Sequence, residues 1–192
     1  GNNIPMLPQI ISAILVPGRM MMLLVVLSTF AVADDAATVS LKTGTWKDVQ
    51  NYVEQHPGKV VIVDIWSTSC LPCMQEFPGL VELQEAHPDH VVAVSFNIDY
   101  AGIKSRPPEY YRERVEKFLT ERKAAFRNYL CTTEAGDVLD DLKLNSIPAV
   151  YVFGKDGKLA KRFDDSLLEP GEEEAFTYKK DINPFVESLI KP

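Results

Sequence analysis

The chain has 192 residues, 20 Lys+Arg against 27 Asp+Glu, and a formal net charge of -7. That length allows one domain with a sizeable core and some appendages, and the 46% apolar content excludes a chain disordered throughout. The acidic balance, with no basic stripe, excludes a nucleic-acid footprint. "DDLKLN" and "EPGEEEAF" read as solvated faces.

At the N-terminus, Arg19 precedes "MMMLLVVLSTFAVA", an apolar stretch ending in the small-x-small triplet Ala31, Val32, Ala33. This reads as a secretory leader over residues 1–33, with Asp34 as the first mature residue. The working domain is then 34–192, outside the cytoplasm, where thiols can be oxidised. Cleavage would remove one cation, Arg19, and leave 19 - 27 = -8. The apolar core is short for a membrane span, and an uncleaved anchor is the alternative.

Residues 34–44 read as a small, polar approach segment. "TWKDVQNYVEQHPG" reads as a helix capped by Thr45, with Asp48 three residues on and Trp46, Val49 and Val53 on one face. "KVVIVDIW" is short and β-branched, as a strand buried on both faces would be. "MQEFPGLVELQEAH" is helical, with Pro78 expected to kink it, and "HVVAVSFNI" is a second buried strand. Residues 99–114 read as a surface excursion, with helix resuming near Tyr110. A short strand at "AAFRNYLCT", a short helix at "EAGDVLDDLKL" and a hairpin at "IPAVYVFGKDGKLAKRF" follow. Residues 164–180 are polar and unassigned, and Asp181 to Ile190 is a closing helix with Ile182, Phe185, Val186 and Leu189 on one face. The alternation predicts an α/β fold, one mixed central sheet flanked by helices.

Three cysteines are too few for a disulfide-built scaffold and instead make one pair and one leftover. Cys70 and Cys73, in "WSTSCLPCMQEFP", sit where a strand ends and a helix begins. Unpaired N–H groups at a helix N-terminus favour a thiolate. Cys70 would attack a substrate disulfide and Cys73 would resolve the mixed disulfide, while Pro72 stiffens the loop. Half a zinc site is an alternative, but its other ligands would come from Cys131, His56, His87 and His90, none of which repeats the pair spacing. Two packed thiols are another, though an element boundary is a poor place for them.

The segment resembles the thioredoxin superfamily, and more narrowly its secreted TlpA- and ResA-like thiol-disulfide oxidoreductases. Their signature is similar to W-x-x-x-C-x-P-C-x-x-E-x-P-x-L, which Trp66, Cys70, Pro72, Cys73, Glu76, Pro78 and Leu80 supply. The resemblance covers roughly Leu41 to the C-terminus. It implies a thioredoxin-like fold and a catalytic Cys70–Cys73 pair, with Glu76 and Pro78 as structural neighbours. It puts Asp64 at the buried acid of ordinary thioredoxins, where many TlpA-like members carry asparagine. Asp64 is also the one ionisable residue inside "VVIVDIW", so its pKa should be raised and it could take the Cys73 proton. By the same resemblance Pro148 is the cis-proline facing the pair, Ile147 offers backbone to a substrate strand, Trp66 packs beside the loop, and Trp66, Pro72, Ile147 and Pro148 together make the expected substrate-binding surface. "LP" between the cysteines departs from the "GP" of general thioredoxins.

The resemblance implies an extracytoplasmic thiol-disulfide oxidoreductase, a reductant of protein disulfides with a membrane-bound electron donor, needing no cofactor and no resident metal. A non-enzymatic binding module or a copper metallochaperone is the alternative, with Met74 as its one soft neighbour. Cys131 carries no motif and reads as core, with a regulatory or intermolecular disulfide as the alternative.

Overall fold

The computed structural model describes residues 38–168 and 176–191. The leader, any uncleaved anchor and residues 169–175 lie outside the described residues. Among the described residues no helix is long and apolar enough to cross a membrane.

Among the described residues six strands form one sheet: β1 (Ser40–Gly44), β2 (Val60–Trp66), β3 (Val91–Asn97), β4 (Arg127–Cys131), β5 (Ala149–Phe153) and β6 (Leu159–Phe163), in the order β1-β4-β3-β2-β5-β6. The β1–β4, β4–β3 and β3–β2 pairs are parallel, while β2–β5 and β5–β6 are antiparallel. The sheet is therefore mixed, as expected. One correction concerns the approach segment, whose end, Ser40–Gly44, is a strand beside β4. Its burial pattern is exposed except at Leu41 and Gly44, so hydrophobic patterning gave little signal for it.

Among the described residues five α-helices cover the two faces: α1 (Trp46–Glu54), α2 (Leu71–Ala86), α3 (Arg112–Glu121), α4 (Ala135–Leu142) and α5 (Asn183–Ile190). Thr45 caps α1 through a capping box with Asp48. Helix α2 runs on through Pro78 from Leu71 to Ala86. Residues 99–114 do contain a short 3-10 turn, Pro108–Tyr111, that leads directly into α3.

Strand β2 lies at the centre and is buried at every position. Because strand side chains alternate, Val60, Ile62 and Trp66 join one core with Phe77, Leu80, Leu119, Ile182 and Val186. Val61, Val63 and Ile65 join the other, with Val49, Val53 and Val138. So α2, α3 and α5 cover one face, and α1 and α4 the other. Asp64 falls in phase with Ile62 and Trp66, on the α2 face.

Candidate active site

The site begins where β2 runs out. Trp66 ends the strand, fully buried, with its indole N–H donating to Ser95 Oγ at 2.7 Å. Its ring packs on Phe77 and Phe118, with centroids at 5.1 and 4.8 Å. The ring therefore belongs to the core on the α2 face, at the point where β2 passes into the loop Ser67–Ser69. Asp99, just past β3, grips that loop from below. It accepts the Thr68 backbone N–H at 2.7 Å and the Thr68 hydroxyl, and Asn97 Nδ2 and Arg114 reach the same carboxylate. Burial alone would raise the Asp99 pKa, but the Thr68 hydrogen bonds and the Arg114 charge hold it below its ordinary value.

Cys70 is the N-cap of α2 and Cys73 lies in its first turn. The two form a disulfide, with Cα atoms 5.3 Å apart. The Cys73 backbone N–H donates to Cys70 Sγ at 3.2 Å, a hydrogen bond that would favour a thiolate once the pair is reduced. Cys70 is half-buried, Leu71 and Pro72 are exposed, and Cys73 is buried. This asymmetry lets one sulfur meet a substrate while the other stays inside. Strand β5 starts beside the end of β2, with Ala149 opposite Ile65. That register brings the preceding residues to the pair: the Ile147–Pro148 bond is cis and the Ile147 carbonyl oxygen lies 3.7 Å from Cys70 Sγ.

Asp64 is buried on the α2 face, 2% exposed. Its pKa is raised to about 7, chiefly because burial disfavours the anion. A hydrogen bond from Tyr178 works against that rise, and the Glu76 charge adds to it. The Tyr178 hydroxyl donates to Asp64 Oδ2 at 2.7 Å. Glu76, one turn along α2 from the cysteines, does not join the pair; its Oε2 accepts the Tyr178 backbone N–H at 2.8 Å. Pro78 is half-buried within α2.

Asp99, Arg114 and Tyr178 were missed by the sequence reading. Asp99 lies just past the end of an apolar strand, Val91–Asn97, whereas Asp64 lies inside one, so the signal for Asp99 was weaker. Tyr178 sits in the stretch read as polar, yet Phe176 and Tyr178 there are buried. Two aromatics among acids were the available clue. Cys131 is a buried free thiol on the other face of the sheet from Cys73, and burial raises its pKa. Among the described residues no group of three or more His, Cys, Asp or Glu gathers to hold a metal ion.

No protein-family model matches the chain. It is 33% identical over 122 residues to the thioredoxin-like protein YneN of Bacillus subtilis, a match covering 64% of this chain and 65% of that protein, less than two thirds of its length. Among solved structures it is similar to the thioredoxin domain of the thiol-disulfide oxidoreductase BVU-2223 from Bacteroides vulgatus, with TM-score 0.51, 20% identity, and 72% of this chain and 84% of that one covered. It is also similar to a thiol:disulfide interchange protein DsbE from Chlorobium tepidum, with TM-score 0.53, 18% identity, and 72% and 85% covered. With its mixed sheet and its cysteine pair at the start of the helix that follows the central strand, the chain has the thioredoxin-like fold that these solved structures share.

Proposed function

We propose that the chain is an extracytoplasmic thiol-disulfide oxidoreductase that reduces protein disulfides. The observation that carries this reading is the asymmetric pair: Cys70 half-buried at a helix N-terminus beside the Ile147 carbonyl, and Cys73 buried behind it. In the reduced protein the Cys70 thiolate attacks one sulfur of a substrate disulfide. A mixed disulfide forms and the first substrate thiolate leaves. Asp64, ionised at that moment, takes the Cys73 proton. The Cys73 thiolate then attacks Cys70 Sγ, the second substrate thiolate leaves, and the Cys70–Cys73 disulfide closes. Two electrons have passed to the substrate, and a dithiol donor must restore the pair. The membrane-bound donor, the leader at 1–33 and the domain at 34–192 belong to this reading through the apolar N-terminal stretch and the resemblance to secreted relatives.

A substrate strand would pair with backbone at Ile147 and pass over Pro72 and Pro148, while Trp66, fully buried, supports the site from the core and meets no substrate. The names of the two solved relatives accord with exchange chemistry. The test uses single cysteine variants. Cys70→Ser loses turnover of a disulfide-bonded model protein by at least about 10³-fold, while Cys73→Ser accumulates a covalent mixed disulfide visible by mass spectrometry. Turnover that survives Cys70→Ser overturns the reading, and partner binding without any turnover in the parent protein favours a binding module instead.

A further inference from the structure

The carboxyl of Asp64 is held unevenly. Oδ2 accepts the Tyr178 hydroxyl at 2.7 Å, whereas Oδ1 is buried and has no hydrogen-bond partner among the described residues. A buried polar oxygen left open is rare and asks for a reason. Its surroundings are sparse in charge. Glu76 faces it from α2, Tyr178 from the turn before α5, and Cys73 lies in the same core on α2. From the flanking strands the residues in register are Ser95 and Val150, both uncharged.

Tyr178 is held in place from several sides. Its backbone N–H donates to Glu76, and the turn that carries it, Tyr178–Ile182, is capped by Thr177, whose hydroxyl accepts the Lys180 N–H at 3.1 Å and whose own N–H donates to Asp181 at 2.8 Å. Helix α2 has Gly79 where the ring root passes: a Cβ there would lie 2.4 Å from Tyr178 Cβ and Cγ. Phe176 and Ile182 are buried on either side of it in the chain.

We infer that Tyr178 is a positioning residue for proton transfer at Asp64: by occupying Oδ2 it leaves Oδ1 as the oxygen that takes the Cys73 proton and returns it. The inference rests on the proposed exchange chemistry. Tyr178 itself keeps its proton throughout, because burial and the Asp64 charge push its ionisation well above the ordinary value. It is thus a fixed donor to the carboxylate and no relay. The C-terminal segment thereby reaches into the chemistry of a pair it does not otherwise meet in sequence.

The test is Tyr178→Phe, which keeps the ring and removes only the donor. Losing a hydrogen bond to the anion raises the Asp64 midpoint by about one pH unit, read by carbon NMR of the oxidised protein. The resolving step, followed by rapid mixing from pH 5 to 9, moves its pH profile up by the same amount. At pH 7 it slows by about 3- to 10-fold, while the first attack by Cys70 keeps its rate. An unmoved Asp64 midpoint overturns the inference, and so does a moved midpoint with an unmoved resolving profile. A wild-type protein that exchanges no disulfides overturns the proposed function and this inference with it; normal exchange with an indifferent Tyr178→Phe overturns the inference alone. Should that variant not fold, the wild-type Tyr178 ring resonances decide: they must titrate with the Asp64 midpoint, and ring signals flat across it overturn the proposal.

Discussion

Replacing Asp64 by Asn isolates the energetic consequence of burying this acid. In the folded, oxidised protein the carboxyl stands at about 7 against an ordinary 3.8. The folded state therefore binds the proton more tightly than the unfolded chain does. Between those two values the native state carries more protons, so wild-type stability falls as pH rises. Each pH unit in that window removes up to about 1.4 kcal/mol, and the whole window about 4 kcal/mol. Asn mimics the neutral acid in shape and still offers an oxygen to Tyr178. Asp64→Asn should then track the wild type, within a constant offset, below pH 4, pull ahead through pH 5 and 6, and level off above pH 7 with an added advantage of about 4 kcal/mol. Guanidinium unfolding of the oxidised forms at unit steps from pH 4 to 8 measures this. A stability difference that stays flat from pH 4 to 8 would refute the raised value and, with it, the premise that Asp64 can exchange a proton near neutrality.

Other perturbations follow from the same geometry. Gly79→Ala gains about 1 kcal/mol of helix propensity, but its Cβ would meet Tyr178 at 2.4 Å. The overpacking should win, for a net loss of about 1–2 kcal/mol. Exposed Gly136 in α4, with open space at its Cβ, should by contrast gain up to about 0.5 kcal/mol as Ala. Thermal midpoints of the two variants must move in opposite directions. Asp99→Asn weakens the grip on Thr68 and the pair with Arg114, and should cost about 2 kcal/mol at pH 7. Asp99 has a folded pKa below its ordinary one, so its stabilisation is complete above the ordinary value and fades as pH falls through the folded value. The Asp99→Asn deficit should therefore shrink in acid, and a deficit constant down to pH 2 would contradict that account.

Much of the architecture was readable because it is carried by local pattern. "KVVIVDIW" is too short and too apolar to be anything but a buried strand, and the hairpin at 149–163 announces its own turn. The cysteine spacing, set between that strand and α2, gave the pair its place and its asymmetry. Less was readable where a residue's role depends on a distant partner. Glu76 was expected as a structural neighbour of the cysteines, but the partner it holds, Tyr178, lies 102 positions away in sequence and no local pattern names it. Asp99 read as the start of a surface excursion, because nothing local says that Thr68 and Arg114 will converge on it.

The sequence by itself thus determined the mixed α/β sheet, the position of Cys70 and Cys73, and the burial of Asp64, since periodicity, chain punctuation and residue volume act over a few residues. The strand at Ser40–Gly44 came only with tertiary structure, because an edge strand is specified by the neighbour it pairs with. So did the Tyr178–Asp64 hydrogen bond, 114 positions apart. Only packing α5 and its preceding turn against α2, across the gap that Gly79 leaves, brings that hydroxyl to the carboxyl.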